Sequence, residues 1–463
     1  MPKRIAIFGG SFNPPGVHHR MLAVALTKHF DEVRVIPCGP RPDKASLDSV
    51  PALFRAALAD ITFGGIPRVS VDLFDLEQDS FSRNADLQVR FAPEGQIWHV
   101  VGTDLIAGGA KGKSPIQLTW KEGRKLWKTA HFAVLTRPGH DIVDKDLPPH
   151  HERIEVDLPG ASTEIRELVS RGKSISHLVT PRANAYIERY GLYRAPVPGT
   201  WSPGSLRGTA FEVQYDARNT TAAELVKQIT PANSSRSEPQ FIATIGGDGA
   251  MLRAIRKYWR KRLPFFGINA GHRGFLMNHR TELDMAEFPP DHVVFRQMPM
   301  LYLEFTDAAG RTKSAYGFND AWVERSTSQS AWLEITVNGV RRIPKLVSDG
   351  ALVATAAGST AYARSMGASP LLADTPAWLL VGSNVMEPTR WKNALLSTDT
   401  TVEVRCLDPD KRPIKAFVDG ESMGTVVSFR ARISRAAAAE LVFRAKHDMA
   451  EKIAAIQFGS QLE

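Results

Sequence analysis

The chain has 463 residues, a length that predicts two or three domains. Its composition, 43% hydrophobic and 23% charged, is that of a folded globular protein and excludes wholesale disorder. The formal net charge of +9 favours anionic partners such as nucleic acid, acidic membranes or phosphorylated small molecules. The alternative reading of the charge is a solvated basic surface.

Cysteine usage and apolar runs bear on the cellular compartment. Cys38 and Cys406 lie far apart and form neither a metal-ligand spacing nor a disulfide framework, which suits a reducing environment. A strand-like run begins at about Arg4, leaving no room for a signal peptide. No apolar stretch approaches the ~20 residues that span a bilayer. We therefore expect a cytoplasmic protein without membrane contact.

The first half of the chain alternates predicted strands with predicted helices. The apolar patterns predict strands over residues 4–8, 33–36, 97–101 and 132–135, and a helix over residues 20–30. This alternation predicts a parallel sheet with its ligand site at the carboxyl ends of the strands. Residues 1–193 are predicted to form the first domain, and the proline- and glycine-rich residues 194–209 to form a linker.

The second half, residues 210–463, changes character part-way along. Strands over residues 211–215 and 241–245 flank a predicted helix over residues 222–229, which predicts an α/β lobe over about 210–290. From about 291 to 440, period-two segments such as residues 301–305 and 332–337 predict antiparallel β-structure. The C-terminal segment is predicted to return to the α/β lobe.

A glycine-rich turn follows the first predicted strand. The sequence GGSFNPPGVHHR begins at Gly9 and Gly10 and ends at Arg20. Backbone N–H groups in such a turn and the positive end of the following helix favour phosphate oxygens, although a lone Gly-Gly is often only a tight turn. A second anion-binding corner is predicted where Ser162 and Thr163 begin a helix.

Together these segments resemble the nicotinate/nicotinamide-mononucleotide adenylyltransferases, nucleotidyltransferases of the HxGH type. The resemblance covers about residues 1–193 and implies a Rossmann-like domain. His19 stands at the family's second motif histidine and would stabilise charge at the α-phosphate of ATP. The residues that the resemblance implies for ATP and mononucleotide binding are Gly9, Gly10, Ser11, Phe12, His18, Lys44, Gly102, Asp104, Trp120, Arg137, Ser162, Thr163 and Arg166.

Within that set, the resemblance assigns individual roles. Ser162, Thr163 and Arg166 would hold the ATP tail, and Lys44 would add a phosphate contact. Asp104 would meet ribose hydroxyls, and Trp120 would stack on a base. The motif itself departs from the family pattern. Gly16 stands where the family carries its first histidine, and His18 replaces the motif glycine.

A second glycine turn, Gly246-Gly247-Asp248-Gly249, follows the buried strand predicted over residues 241–245. Both NAD kinases and diacylglycerol-type lipid kinases carry this tetrapeptide, and a structural reading is a turn with an aspartate cap. The ordered motifs at residues 266–276, 318–320, 348–350 and 358–362 decide the choice. They resemble the NAD kinase family from about residue 211 to the C-terminus.

That resemblance implies phosphoryl transfer from ATP to the 2′-hydroxyl of NAD. Asp248 is the candidate general base, because a ribose hydroxyl is a poor nucleophile at neutral pH. Magnesium would accompany ATP through its phosphate oxygens, with no protein metal cage. The residues implied for NAD binding are Asp248, Gly249, Arg253, Asn319, Asp320, Asp349, Thr360, Ala361, Tyr362, Ser365, Asp419 and Glu421. Ala250, Asp320, Arg273 and the Ala356-Ala357 pair depart from the family pattern.

The sequence thus predicts a bifunctional enzyme with ATP, NMN or NaMN, and NAD as substrates, assembled as a homo-oligomer through its kinase half. One alternative makes the first domain a nucleotide-sensing module on an active kinase, motivated by Gly16. A third hypothesis is nucleic-acid binding by the basic run at residues 253–262. Helical spacing favours a solvated face there, with Tyr258 and Trp259 turned inward.

Overall fold

The structure of the chain is a computed structural model, which describes residues 2–41, 50–136, 143–157, 160–194, 199–230, 238–271, 274–445 and 449–458. The chain divides into two compact units, Met1–Pro198 and Gly199–Glu463. Among the described residues, no helix has the length and apolar character needed to cross a membrane.

The first unit alternates strands and helices, as its apolar pattern predicts. Its strands are β1 (Arg4–Gly10), β2 (Glu32–Pro37), β3 (Val69–Val71), β4 (Gln96–Gly102), β5 (His131–Thr136) and β6 (His151–Glu155). Its helices are α1 (Val17–Leu26), α2 (Ala52–Phe63), α3 (Phe74–Glu77), α4 (Asn84–Phe91), α5 (Thr103–Ile106), α6 (Pro115–Thr119), α7 (Gly123–Thr129), α8 (Ser162–Ser170) and α9 (Pro181–Tyr190).

These strands form one parallel sheet in the order β3-β2-β1-β4-β5-β6. Ile5, Ala6 and Ile7 in β1 are all buried, because helices cover both faces of such a sheet. The chain reverses its direction of winding between β1 and β4. In open α/β sheets this switch point is where ligands bind, at the carboxyl ends of the strands. The Rossmann-like fold class is confirmed.

The second unit is richer in strands. Its strands are β7 (Trp201–Gly204), β8 (Phe211–Tyr215), β9 (Phe241–Gly246), β10 (Phe265–Asn269), β11 (Val293–Thr306), β12 (Thr312–Gly317), β13 (Asp320–Arg325), β14 (Ala331–Val337), β15 (Val340–Ser348), β16 (Gly350–Ala354), β17 (Ala377–Ser383), β18 (Asn393–Ser397), β19 (Thr401–Cys406), β20 (Ile414–Val418), β21 (Glu421–Val426) and β22 (Ser428–Arg444). Its helices are α10 (Thr220–Ile229), α11 (Asp248–Tyr258), α12 (Tyr362–Ser365) and α13 (Met449–Gln457).

A long mixed sheet joins the α/β part of this unit to its β-rich part. β8, β9 and β10 run parallel and continue into β22, whose other half pairs antiparallel with β19. A second, antiparallel sheet has the order β18-β17-β16-β13-β20-β21. Buried side chains of both sheets, among them Leu333, Val353 and Trp378, share one apolar core. The predicted α/β lobe followed by a β-rich lobe is confirmed as a fold class.

The structure shortens the linker that the sequence predicts over residues 194–209. Trp201–Gly204 forms β7, which pairs antiparallel with β11, and Leu206 is buried in the core of the second unit. Pro203 fits because β7 is an edge strand, where a missing N–H costs no ladder hydrogen bond. Proline and glycine content therefore indicated a linker where the chain forms an edge strand.

Candidate active sites

The first candidate site lies at the switch point of the parallel sheet. β1 ends at Gly10, the chain turns through Phe12 at a φ of 43°, and α1 begins at Val17. A cavity of about 510 Å³ opens beside this turn. It is lined by Phe8, His18, His19, Leu22, Gly102, Thr103, Asp104, Leu135, Val156 and Gly160. The structure thus brings His18, His19, Gly102 and Asp104 of the predicted set together.

His19 lines this cavity, and its ring has one nitrogen engaged by the backbone. Its Nδ1 accepts a hydrogen bond from the Gly16 N–H at 3.1 Å, so the neutral ring carries its proton on Nε2. The ring packs against Phe12 at a centroid distance of 5.2 Å. Burial, and then the neighbouring His18, lower the pKa of His19 to about 3. The imidazole is therefore a neutral N–H donor at physiological pH.

His18 lies beside His19, with 3.9 Å between the ring centroids, and burial lowers its pKa while Glu164 opposes that shift. Two glycines make room for its ring. A Cβ atom at Gly16 would lie 2.7 Å from the His18 ring, and one at Gly160 would lie 2.5 Å from His18 Nδ1. The His18 side chain therefore fills the space that a side chain at position 16 would enter.

The start of α8 contacts the loop that follows β1. Ser162 Oγ donates to the Pro14 carbonyl at 2.8 Å, and Arg166 Nη1 donates to the Asn13 carbonyl at 2.7 Å. Arg166 Nη2 also donates to Thr163 Oγ1 at 3.1 Å. These predicted ATP-tail residues therefore brace the glycine loop in the present structure.

The other predicted residues of this site occupy varied positions. Gly9 and Gly10 end β1, where they pair with β2, and Ser11 follows them. Trp120 is half-buried, and its ring centroid lies 6.4 Å from that of His99. It is not among the residues given above as lining the cavity. Lys44 and Arg137 lie outside the described residues.

Sequence reasoning missed Arg55, a buried arginine on α2. Its Nη2 atom donates to the carbonyl of Ser11 at 2.8 Å and to that of Cys38 at 2.6 Å. Arg55 thereby ties the glycine loop after β1 to the end of β2. The available signal was a single arginine within the otherwise largely apolar helix ALFRAALADITF.

The second candidate site lies at the end of β9. This strand is buried throughout, and α11 begins at Asp248 directly after Gly247. The two Asp248 carboxylate oxygens accept hydrogen bonds from the N–H groups of Phe275 and Leu276, each at 2.9 Å. Burial raises the pKa of Asp248, while these two hydrogen bonds and Lys452 oppose the shift.

The turn between β12 and β13 carries the predicted residue Asn319, and Asp320 follows it as the first residue of β13. Asp419 accepts hydrogen bonds from the N–H groups of Phe318 at 2.7 Å, Asn319 at 2.8 Å and Asp320 at 3.2 Å. Asp320 is 5% exposed, and burial together with Asp419 raises its pKa to about 7. Asn319 Oδ1 is buried and has no hydrogen-bond partner among the described residues. Asp419 thus shapes the turn, and the buried Asn319 oxygen is left without a hydrogen bond from the described residues.

A cavity of about 380 Å³ lies against β13 and β16. It is lined by Trp322, Val323, Glu324, Arg325, Asp349, Ala351, Tyr362, Met366, Ser383 and Asn384. Asn384 Nδ2 and Arg325 Nε donate to the Asp349 carboxylate at 2.8 and 2.5 Å, and these hydrogen bonds lower the pKa of Asp349. The Trp322 ring contacts Tyr362 edge-on at 5.2 Å. Sequence reasoning missed Trp322, Arg325 and Asn384, which no single motif indicates.

Several predicted residues have local partners. Thr360 Oγ1 donates to the Ala357 carbonyl, and Ser365 Oγ donates to the Tyr362 carbonyl. Ala361 directly precedes α12. On α11, Gly249 follows Asp248. Arg253 Nη2 lies 3.8 Å from Asp216 Oδ2. Arg256 forms an ion pair with Glu421 at 2.7 Å. In the same helix Tyr258 is buried, as its spacing predicts.

Comparisons with known proteins bear on both units. Residues 211–289 match the family model described as the ATP-NAD kinase N-terminal domain. The NAD kinase of Rickettsia akari (strain Hartford) is 33% identical over 222 residues, covering 48% of this chain and 87% of the relative. The NAD kinase of Rickettsia felis is 34% identical with the same coverage. The chain belongs to the NAD kinase family.

Beyond this kinase domain, residues 7–168 match the cytidylyltransferase-like family model. The resemblance of the first unit to a nucleotidyltransferase and that of the second unit to an NAD kinase are both confirmed at this level. Among solved structures, a yeast NADH kinase complexed with NADH aligns at 15% identity with a TM-score of 0.46, covering 56% of this chain and 90% of that chain.

Proposed function

We propose that this chain is a bifunctional enzyme of pyridine-nucleotide synthesis. Its first unit would transfer the adenylyl group of ATP to a nicotinamide or nicotinate mononucleotide, and its second unit would phosphorylate NAD on the adenosine 2′-hydroxyl. The observation that carries the proposal is the Asp248 carboxylate, buried at a strand-to-helix turn and oriented by two backbone N–H groups.

In the kinase unit, Asp248 would accept the proton of the 2′-hydroxyl. The ribose oxygen then bonds to the γ-phosphorus of ATP as the bond to the β-phosphate oxygen breaks, giving NADP and ADP. A carboxylate has about four lone-pair positions, so two hydrogen bonds leave Asp248 free to accept the proton. Burial makes this carboxylate more basic than an exposed one, which suits a general base. Magnesium would arrive as part of the MgATP substrate, held by phosphate oxygens.

NAD would be held by the turn before β13 and by the cavity beside it. A dinucleotide offers amide and hydroxyl donors, and the unpartnered Asn319 oxygen and the Asp320 carboxyl supply acceptors. Asp349, Thr360, Ala361, Tyr362 and Ser365 would complete the pocket, with Gly249 and Arg253 on the phosphate side. Asp419 would act through the backbone of the turn, since three N–H groups occupy its carboxylate.

In the first unit, the mononucleotide phosphate would attack the α-phosphorus of ATP and pyrophosphate would leave. The attacking group is already an anion, so the reaction needs positioning and charge stabilisation more than a base. The His19 Nε2–H would donate to the α-phosphate oxygens, with His18 as a second phosphate contact. Gly9, Gly10 and Ser11 bring the backbone close to the phosphates, and Asp104 would meet ribose hydroxyls.

The two activities together favour nicotinamide mononucleotide as the first substrate. With that substrate the product is NAD, which the second unit can use directly, whereas the nicotinate product would first need amidation. The test incubates purified protein with MgATP and each mononucleotide separately and resolves the dinucleotide products. Formation of neither dinucleotide would refute an active first unit, and absence of NADP from added NAD would refute the kinase activity.

A second candidate function is a nucleotide-sensing first unit on an active kinase, favoured by Gly16 at the family's first histidine position. The substitution His19→Ala separates the two. An adenylyltransferase loses pyrophosphate release, whereas a sensor loses the response of NADP formation to added mononucleotide. We propose that either form works in the cytoplasm as a homo-oligomer, without nucleic-acid or membrane partners; salt-sensitive retention of DNA or RNA in a filter-binding assay would contradict this.

A further inference from the structure

Helix α13 carries a lysine on its buried face. Met449 and Ile453 are four residues apart and are 0% and 1% exposed, so they define the side that packs on the α/β core. Lys452 lies on this side and is 9% exposed. An ammonium group is costly to bury unless its N–H groups are paired, so its partners indicate why it is there.

Main-chain carbonyl groups of the segment after β10 are among the partners of Lys452. Its Nζ atom donates to the carbonyl oxygens of Gly274 at 3.4 Å and Phe275 at 3.2 Å, and also to that of Met277. It also lies 5.3 Å from the centroid of the Phe443 ring. The ammonium group thus has a carbonyl for each of its three N–H donors.

Two of these carbonyls belong to the peptide groups that hold Asp248. The Gly274 carbonyl and the Phe275 N–H are one peptide unit, and the Phe275 carbonyl and the Leu276 N–H are the next. Lys452 binds the oxygen side of both units, while the Asp248 carboxylate accepts from their N–H side at 2.9 Å. A cation on a peptide oxygen polarises the opposite N–H, because hydrogen bonds in a chain strengthen one another in a low-dielectric interior.

We propose that Lys452 is a positioning residue for Asp248, which it orients and keeps ionised through the peptide units 274–275 and 275–276. This inference rests on the proposed kinase function and adds a residue that acts from the far end of the sequence. Lys452 does not contact the reacting atoms.

The electrostatic setting of Asp248 supports this role. β9, β10 and residues 274–278 bring no charged side chain toward it, since all of their residues are neutral. In the described part of the chain, the charged side chain that acts on its ionisation is Lys452, whose positive charge lowers the pKa of Asp248 against the effect of burial. Arg253, on α11 itself, is turned toward Asp216.

The test compares Lys452→Met with the parent chain of 463 residues. The unbranched methionine keeps much of the length of lysine and removes the charge. We expect kcat for NADP formation to fall at least about tenfold, with a change in KM for ATP below about threefold, since the lost group acts on the base rather than on binding. The acid limb of the kcat–pH profile should move to higher pH, because the carboxylate loses a stabilising cation.

Two further variants keep the test decisive. Ile453→Ala removes packing on the same helix face without changing charge, and should lower the melting temperature while leaving the acid limb in place. If the methionine variant does not fold, Lys452→Arg retains the charge with altered geometry, and should keep the acid limb near that of the parent while kcat falls.

The outcomes separate the inference from the function on which it rests. A folded Lys452→Met variant with the parent's kcat and acid limb would overturn the role of Lys452. An equal shift of the acid limb in Ile453→Ala would also overturn it, as would a folded Lys452→Arg variant whose acid limb moves to higher pH although the charge is retained. A parent chain that makes no NADP would instead overturn the proposed kinase function.

Discussion

The turn after β1 and the turn after β9 are built alike and carry different chemistry. Each joins the carboxyl end of a buried parallel strand to the start of a helix through glycines. The first leads to two imidazoles, of which His19 has a pKa of about 3, and the second leads to a buried carboxylate held by two N–H groups.

The difference between imidazoles in one turn and a carboxylate in the other matches the nucleophile that each site is proposed to use. A phosphate nucleophile is already ionised, and a neutral N–H donor such as His19 supports the charge on the phosphorus under attack. A ribose hydroxyl must lose a proton, and that requires a base. Similar backbone turns can thus serve both reactions, with the side chain at the helix start deciding which one is possible.

The largest expected effect comes from removing the base. Asp248→Asn should lower NADP formation by about 10²- to 10⁴-fold, the usual contribution of a general base, because the amide cannot accept the proton. Adenylyl transfer should be unchanged, which a separate pyrophosphate-release assay measures. Asp307→Asn, in the hairpin turn between β11 and β12, is the matched control. NADP formation by Asp248→Asn at the parent's rate would contradict the proposal that the second turn supplies a base and the first does not.

The next effect concerns the donor in the first turn. His19→Ala should lower pyrophosphate release by about 10²-fold, as expected for loss of one charge-stabilising donor, while NADP formation from added NAD stays constant. Because the pKa of His19 is about 3, its loss should cost a similar factor at pH 6 and at pH 8. The exposed His177→Ala provides the control. A loss confined to low pH would show that the protonated ring is the active form.

A smaller effect tests how His18 is seated. Gly16→Ala places a Cβ 2.7 Å from the His18 ring and 3.0 Å from the Leu178 carbonyl, so the ring must move. We expect pyrophosphate release to fall about tenfold, because displacement of a positioned group is costly to the rate. In a His18→Ala background the same glycine change should have little further effect. Additive losses would show that Gly16 acts independently of His18.

The last effect is on stability and is measured separately from activity. The pKa of Asp320 is about 7 in the folded state, raised from its ordinary value near 4. The native state therefore keeps this proton bound up to a higher pH than the unfolded chain does. Stability should therefore fall as pH rises from about 4 to 7, by at most about 1.4 kcal/mol per pH unit. Asp320→Asn should raise the melting temperature at pH 8 more than at pH 5. An equal change at both values would contradict the raised pKa.

Local patterns predicted much of this molecule. The alternation of strands and helices in residues 4–135 predicts the parallel sheet, and the period-two segments after residue 291 predict the antiparallel part. The position of Asp248 at the start of a helix was predictable from its tetrapeptide, because a glycine turn between a strand and a helix is a short-range feature. The linker over residues 194–209 was placed too broadly, since an edge strand accepts the same proline-rich composition as a linker.

What the sequence by itself determined is the fold class of each unit and the residues of the two glycine turns, because both depend on periodicity and on neighbours within a few positions. Only the tertiary structure decided which distant groups act on those turns. Arg55 braces the loop after β1 from a neighbouring helix, and Lys452 reaches the peptide units beside Asp248 from 204 positions further along the chain. Such contacts arise from the way elements pack, and no spacing in the sequence encodes them.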